Sequence, residues 1–141
     1  MKAKDYFLRV AQAEKEIRVL RARVAHYEDL GLSITAHITN TPISSKKGSS
    51  RVESSAVGIV DGLNAIQGKL GAYESIVRGA EILIEKIPQE RYRRLLTLHY
   101  LCGWKLPKVG QELGYEDRNS VYRAHGWALC EAQKLMKEDD G

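Results

Sequence analysis

Residues 56–87 read AVGIVDGLNAIQGKLGAYESIVRGAEILIEKI, and the spacing inside this stretch decides the fold. Ala56, Ile59, Leu63, Ile66, Leu70, Tyr73, Val77, Ala80, Ile84 and Ile87 follow one another in alternating steps of three and four. That is the repeat of a helix with a single apolar seam. The same stretch carries Gly58, Gly62, Gly68, Gly71 and Gly79, and each costs about 1 kcal/mol relative to Ala inside a helix. Helical propensity alone does not hold such a segment, so packing along the seam must.

Working towards the N-terminus, a matching seam runs through Tyr6, Val10, Ala13, Ile17, Leu20, Val24 and Tyr27. Lys15, Glu16, Arg18, Arg21 and Arg23 fall between these positions, as on a solvated helix face. Gly31 is expected to close this helix as a C-terminal cap. Residues 33–55 are rich in Ser and Thr, contain Pro42 and Gly48 and lack a helical period. They are expected to form a flexible loop, with Lys46, Lys47 and Arg51 solvated. Two seamed helices joined by such a loop fold back most simply as an antiparallel, coiled-coil-like hairpin over residues 1–87. Ile17, Leu20 and Val24 should then meet residues such as Leu63, Leu70 and Val77. Leu8, Val19, Val60 and Ile76 lie off the seam, which is the ground for expecting self-association into a homo-oligomer.

Beyond Ile87 the pattern changes. Pro88 suits the first turn of a new helix, and Tyr92, Leu95, Leu96, Leu98, His99 and Leu101 give a short apolar face that stops at Cys102-Gly103. A second domain, residues 88–141, is expected to start here. Its informative stretch is Lys105-Leu106-Pro107-Lys108-Val109-Gly110-Gln111-Glu112-Leu113-Gly114-Tyr115, followed by Glu116 to Ala124. Two helices crossing tightly need a small residue at the crossing, apolar neighbours and a glycine to turn the chain. Gly110, Val109 with Leu113, and Gly114 supply these. Asp117 is suited to cap the second helix, whose Val121, Ala124, Ala128, Ala132 and Leu135 should face the core. At 100° per residue, Asn119, Arg123, Gly126 and Cys130 then point away, with Arg118 and Tyr122 on the flank. Lys105, Lys108, Arg118, Asn119, Ser120, Tyr122 and Arg123 form the candidate DNA-binding set, because such groups suit phosphates and base edges.

From Leu95 to Leu135 the chain resembles region four of bacterial sigma factors, most clearly in Leu106-x-x-Val109-Gly110-x-x-Leu113-Gly114-Tyr115 and in Val121 with Ala128-Leu129. Over nearly its full length, including Met1-Lys2-Ala3-Lys4-Asp5-Tyr6, Leu32-Ser33-Ile34-Thr35-Ala36 and Arg91-Tyr92-Arg93, it is similar to a family of short phage and prophage transcriptional regulators. The resemblance implies a helix-turn-helix that reads double-stranded DNA, with RNA polymerase as a further partner. One extra residue between Tyr115 and Val121, and Pro107-Lys108 where sigma factors often carry acidic residues, depart from the sigma pattern. Nothing resembles the sigma region that melts a promoter.

The remaining features narrow the classes. A net charge of +4 over 141 residues permits nucleic-acid binding without demanding it. Cys102 and Cys130 have no CxxC or Cys/His spacing, and His26, His37 and His99 have no partner at metal spacing, so no metal or other cofactor is expected. His125 is expected to pack beside the core, and Trp104 and Trp127 around the small domain. No catalytic motif is present, so the chain is read as not an enzyme. No apolar run approaches the roughly 18 residues of a membrane span, and the charged first segment does not read as a secretory leader, so a cytoplasmic location is expected. The expected fold is therefore all-α, a long hairpin followed by a helix-turn-helix domain. Two alternatives stay open: a DNA-packaging protein resembling the phage small terminase, and a coiled-coil adaptor that binds protein.

Overall fold

The computed structural model describes the backbone of residues 1–40 and 46–140 and the side chains of residues 1–34 and 53–138. All elements among them are helical: α1 (Ala3–Asn40), α2 (Lys46–Glu85), α3 (Glu90–Leu96), a π-helical turn (Thr97–Leu101), α4 (Leu106–Leu113) and α5 (Arg118–Asp140). The all-α class is as the spacing predicts, and α1 with α2 forms the long hairpin.

Two expectations about that hairpin are corrected. Gly31 does not cap α1; it lies within the helix and its φ is not positive. Nor are residues 33–55 a loop, since α1 continues to Asn40 and α2 already begins at Lys46. The backbone of residues 41–45 and the side chains of residues 35–52 lie outside the described residues, and with them the expected solvation of Lys46, Lys47 and Arg51. The physical reason is that Ser and Thr lower helix stability by only about 0.5 kcal/mol each, whereas the seam's phase carries on. Tyr27, Gly31 and Ile34 keep the steps of four and three, and Val52 stands four residues before Ala56. A small residue at Gly31 hides the repeat without breaking it.

Contacts divide the chain into two compact units, Glu16–Ala72 and Met1–Lys15 with Tyr73–Gly141. The packing boundary is thus not at residue 88. Within Glu16–Ala72, Ile17, Leu20 and Ile66 are buried. The Tyr27 ring crosses the other helix at Gly62, where an added Cβ would stand only 2.8 Å from it. That contact gives one glycine of α2 a packing role; Gly58, Gly68 and Gly71 face open space.

In the other unit a single core takes Ala3, Phe7 and Val10 from α1, Ala80, Leu83 and Ile84 from α2, Leu95 and Leu96 from α3, Leu106 and Val109 from α4, and Val121, Ala124, Ala128 and Ala132 from α5. Phe7 is fully buried and stacks on Tyr100 with centroids 5.2 Å apart and ring planes at 30°. The first turn of α1 also leaves N–H groups without helical acceptors. Gln133 of α5 meets one of them: Ala3 N–H donates to its Oε1 at 2.6 Å, and its Nε2 donates to Met1 O at 3.5 Å. Arg93 closes the corner between α2 and α3 by donating to Ile87 O at 2.6 Å and Pro88 O at 3.0 Å. Gln89 occupies the N-cap position of α3 without a side-chain cap hydrogen bond, so Pro88 precedes the helix and does not lie in its first turn as expected.

The α1 contribution makes residues 88–141 an incomplete folding unit. Phe7→Ala is expected to cost about 3–5 kcal/mol, the usual range for deleting a buried phenylalanine ring, measured by urea unfolding of the full chain. A fragment of residues 88–141 should lack the cooperative transition and dispersed amide spectrum of the full protein. A natively folded fragment would contradict this account of the core.

Candidate nucleic-acid interface

α4 and α5 are set against each other by three local devices, each of the kind the sequence pattern predicts. The first is the crossing point: a Cβ built on buried Gly110 would stand 3.1 Å from Val121 Cβ and 3.2 Å from its Cγ1. That is tighter than ordinary carbon contacts, so a side chain there would push the helices apart. The second is the turn, where Gly114 has φ +80° and ψ +24°, a region L side chains enter only with strain. Its N–H donates to Gln111 O at 3.4 Å, and Tyr115 N–H donates to Gly110 O at 2.9 Å, the paired bonds of a Schellman ending. The third is the α5 cap: Asp117 Oδ1 accepts the Ser120 N–H at 2.7 Å. The Ser120 backbone N–H first, and its hydroxyl second, hold the Asp117 carboxyl below its ordinary range, with Arg123 adding to the effect.

These devices orient α5 as its periodicity requires. Val121, Ala124, Ala128 and Ala132 are buried, while Arg118, Asn119, Tyr122, Arg123, Gly126 and Cys130 are exposed. Arg118, Asn119, Tyr122 and Arg123 therefore come together on the outer side of the first turns of α5, as the residue pattern predicts. Neither Arg118 nor Arg123 forms an ion pair among the described residues. Ser120 is half-buried and hydrogen-bonds the Asp117 carboxylate.

Lys105 is exposed in the extended residue before α4, with φ −69° and ψ 146°. Lys108 is exposed too, but its Nζ rests 4.1 Å from the centroid of the Trp104 ring. To reach a phosphate it must leave a cation–π contact worth about 0.5–1 kcal/mol at an exposed site. Trp104 itself packs on the core as expected. Trp127 does not; it is 56% exposed, because it sits about 100° round α5 from buried Ala128 and no element among the described residues covers it.

One basic residue was not legible from spacing. The Arg91 guanidinium lies 4.4 Å from the Tyr115 ring centroid and donates to Leu113 O at 3.1 Å, pinning the end of α4 from α3. No local repeat links residues so far apart. On the inner flank of α5, His125 accepts or shares the Tyr100 phenol proton at 2.7 Å through Nε2. The His99 ring is 5.3 Å from it, and His99 Nδ1 reaches Trp104 O at 2.7 Å; a carbonyl only accepts, so this nitrogen carries hydrogen. Burial pushes the Tyr100 hydroxyl up to about 12. Burial first, then His99 and Lys4, bring His125 down to about 4. His125 is thus the packed histidine expected from its position.

Among the described residues no group of three or more His, Cys, Asp or Glu is arranged to hold a metal ion. No helix among them is long and apolar enough to cross a membrane. Comparison with protein-family models, with curated proteins and with solved structures yields no match.

A pH dependence follows from His125. The folded state holds its imidazole neutral down to about 4, against 6.5 when unperturbed, so the unfolded chain binds the proton first as pH falls. Stability is therefore full above pH 6.5 and declines towards pH 4. His125→Gln keeps an acceptor for the Tyr100 hydroxyl without titrating. Urea unfolding at pH 7.5, 6 and 5 should show a smaller acid loss for this variant, and equal losses would remove His125 as the cause.

Proposed function

We propose that this protein binds double-stranded DNA sequence-specifically in transcriptional control, with α5 lying in the major groove. One observation carries the reading: Arg118, Asn119, Tyr122 and Arg123 stand exposed together at the start of a helix whose opposite side is locked into the core. Arg offers a paired donor fork for guanine, and Asn a donor–acceptor pair for adenine. Lys105, and Lys108 once it leaves Trp104, supply phosphate contacts beside the groove. The resemblance to sigma region four and to short phage regulators supports the same partner. It adds RNA polymerase as a further partner, and the proposal takes a cytoplasmic setting from the sequence reading. No residue is assigned a catalytic role.

The test uses the full chain, a duplex that it selects from a randomised pool, and a scrambled duplex of equal length, followed by fluorescence anisotropy at several salt concentrations. Arg123→Ala is expected to cost about 1–3 kcal/mol on the selected duplex and to relax its preference. Lys105→Ala should weaken both duplexes alike and flatten the salt dependence by roughly one unit, since a lost phosphate contact releases one counterion fewer. Asn119→Ala, which removes no charge, should leave that slope unchanged. Full binding by an Arg123→Ala/Asn119→Ala double variant would move the protein-binding adaptor reading ahead.

A further inference from the structure

Gly126 is a glycine that the fold itself does not require. It lies inside α5 with a φ that is not positive, so its conformation is open to any residue. A Cβ built on it meets no atom within 4 Å, so no neighbour demands its smallness. In the first respect it differs from Gly114, needed for its dihedral angle, and in the second from Gly110, needed at the crossing. Glycine inside a helix still costs about 1 kcal/mol relative to alanine.

Its position suggests what the missing side chain admits. Gly126 is three residues after Arg123 and seven after Asn119, on the same exposed side of α5. At about 1.5 Å of rise per residue, Asn119 and Gly126 are about 10 Å apart along the helix, roughly three base-pair steps of about 3.4 Å. Between Arg118 and Cys130 the sequence has two arginines and no acidic residue. Exposed Tyr122 and Trp127 rise on either flank of the bare strip. A smooth, cationic strip between two ridges suits a polyanion approached closely by the helix backbone.

Building on the DNA-binding reading above, we propose that Gly126 is where α5 comes closest to the base edges of the major groove. The helix then lies along about three base pairs instead of touching them with its first turn alone. An alanine at this position would hold the helix off the groove floor and lengthen the Arg123 and Asn119 contacts.

The proposal separates stability from binding. Gly126→Ala should raise the melting temperature, because it improves helix propensity in open space. Its affinity for the selected duplex should nevertheless fall at least tenfold, and Gly126→Leu should fall further, with a smaller loss on the scrambled duplex. Gly68→Ala in α2 is the control: Gly68 also faces open space, so this variant should melt higher while binding as the parent does. A parent that binds and is weakened by Arg123→Ala, but whose Gly126→Ala variant binds within twofold, overturns this proposal and leaves the DNA reading standing. A parent that enriches no duplex from the pool overturns both.

Discussion

The Phe7 ring, with no exposed surface and its face on Tyr100, joins the start of the chain to the turn ahead of α4. Tyr100 in turn bonds His125 through its hydroxyl, so aromatic contact and hydrogen bond run in series from α1 to the middle of α5. Gln133 adds a second tie between α5 and the first residues of α1. Short helices such as α3 and α4, of seven and eight residues, are not stable alone because nucleation is unfavourable. They hold their places because the base of the hairpin closes the core around them.

Once that core is closed, the exposed side of α5 follows from small residues. Ala124, Ala128 and Ala132 let the helix sit close to its neighbours, and Gly110 lets α4 cross at Val121. Larger side chains at these positions would relieve crowding by rotating or lifting α5, and its outward face would turn with it. Asp117 and Gly114 fix where the helix starts, and Arg91, held by Tyr115 and the Leu113 carbonyl, braces the turn from α3. Arg118, Asn119, Tyr122 and Arg123 thus stand exposed on a helix whose start and opposite side are held by the rest of the fold.

The same arrangement distributes the charged and polar groups by purpose. Arg93 and Arg91 are engaged with backbone carbonyls, and Arg94 pairs with Glu90 at 2.9 Å. The arginines of α5 have no such engagement among the described residues. Half-buried His125 shares a hydrogen bond with the Tyr100 hydroxyl, and burial favours the neutral form of both groups.

Helix type, the buried face of α5, the Gly110 crossing, the Gly114 turn and the Asp117 cap were all legible in the sequence, because each depends on residues within a few turns of one another. The seam also contained the continuation of α1 and α2 through residues 33–40 and 46–55, but the Ser- and Thr-rich composition obscured a phase that the helices nevertheless keep. Local pattern carried nothing about the placement of Phe7 against Tyr100, Gln133 against Ala3, Arg91 against Tyr115 or Lys108 over Trp104. The first three join segments far apart in the chain, and the last spans the extended backbone at Lys105, where the helical repeat does not apply. Periodicity therefore determined the helices and which face of each is apolar. Only the tertiary structure decided which faces meet, that the start of α1 belongs to the same core as α5, and which polar groups are left outside, because those outcomes depend on packing between distant segments.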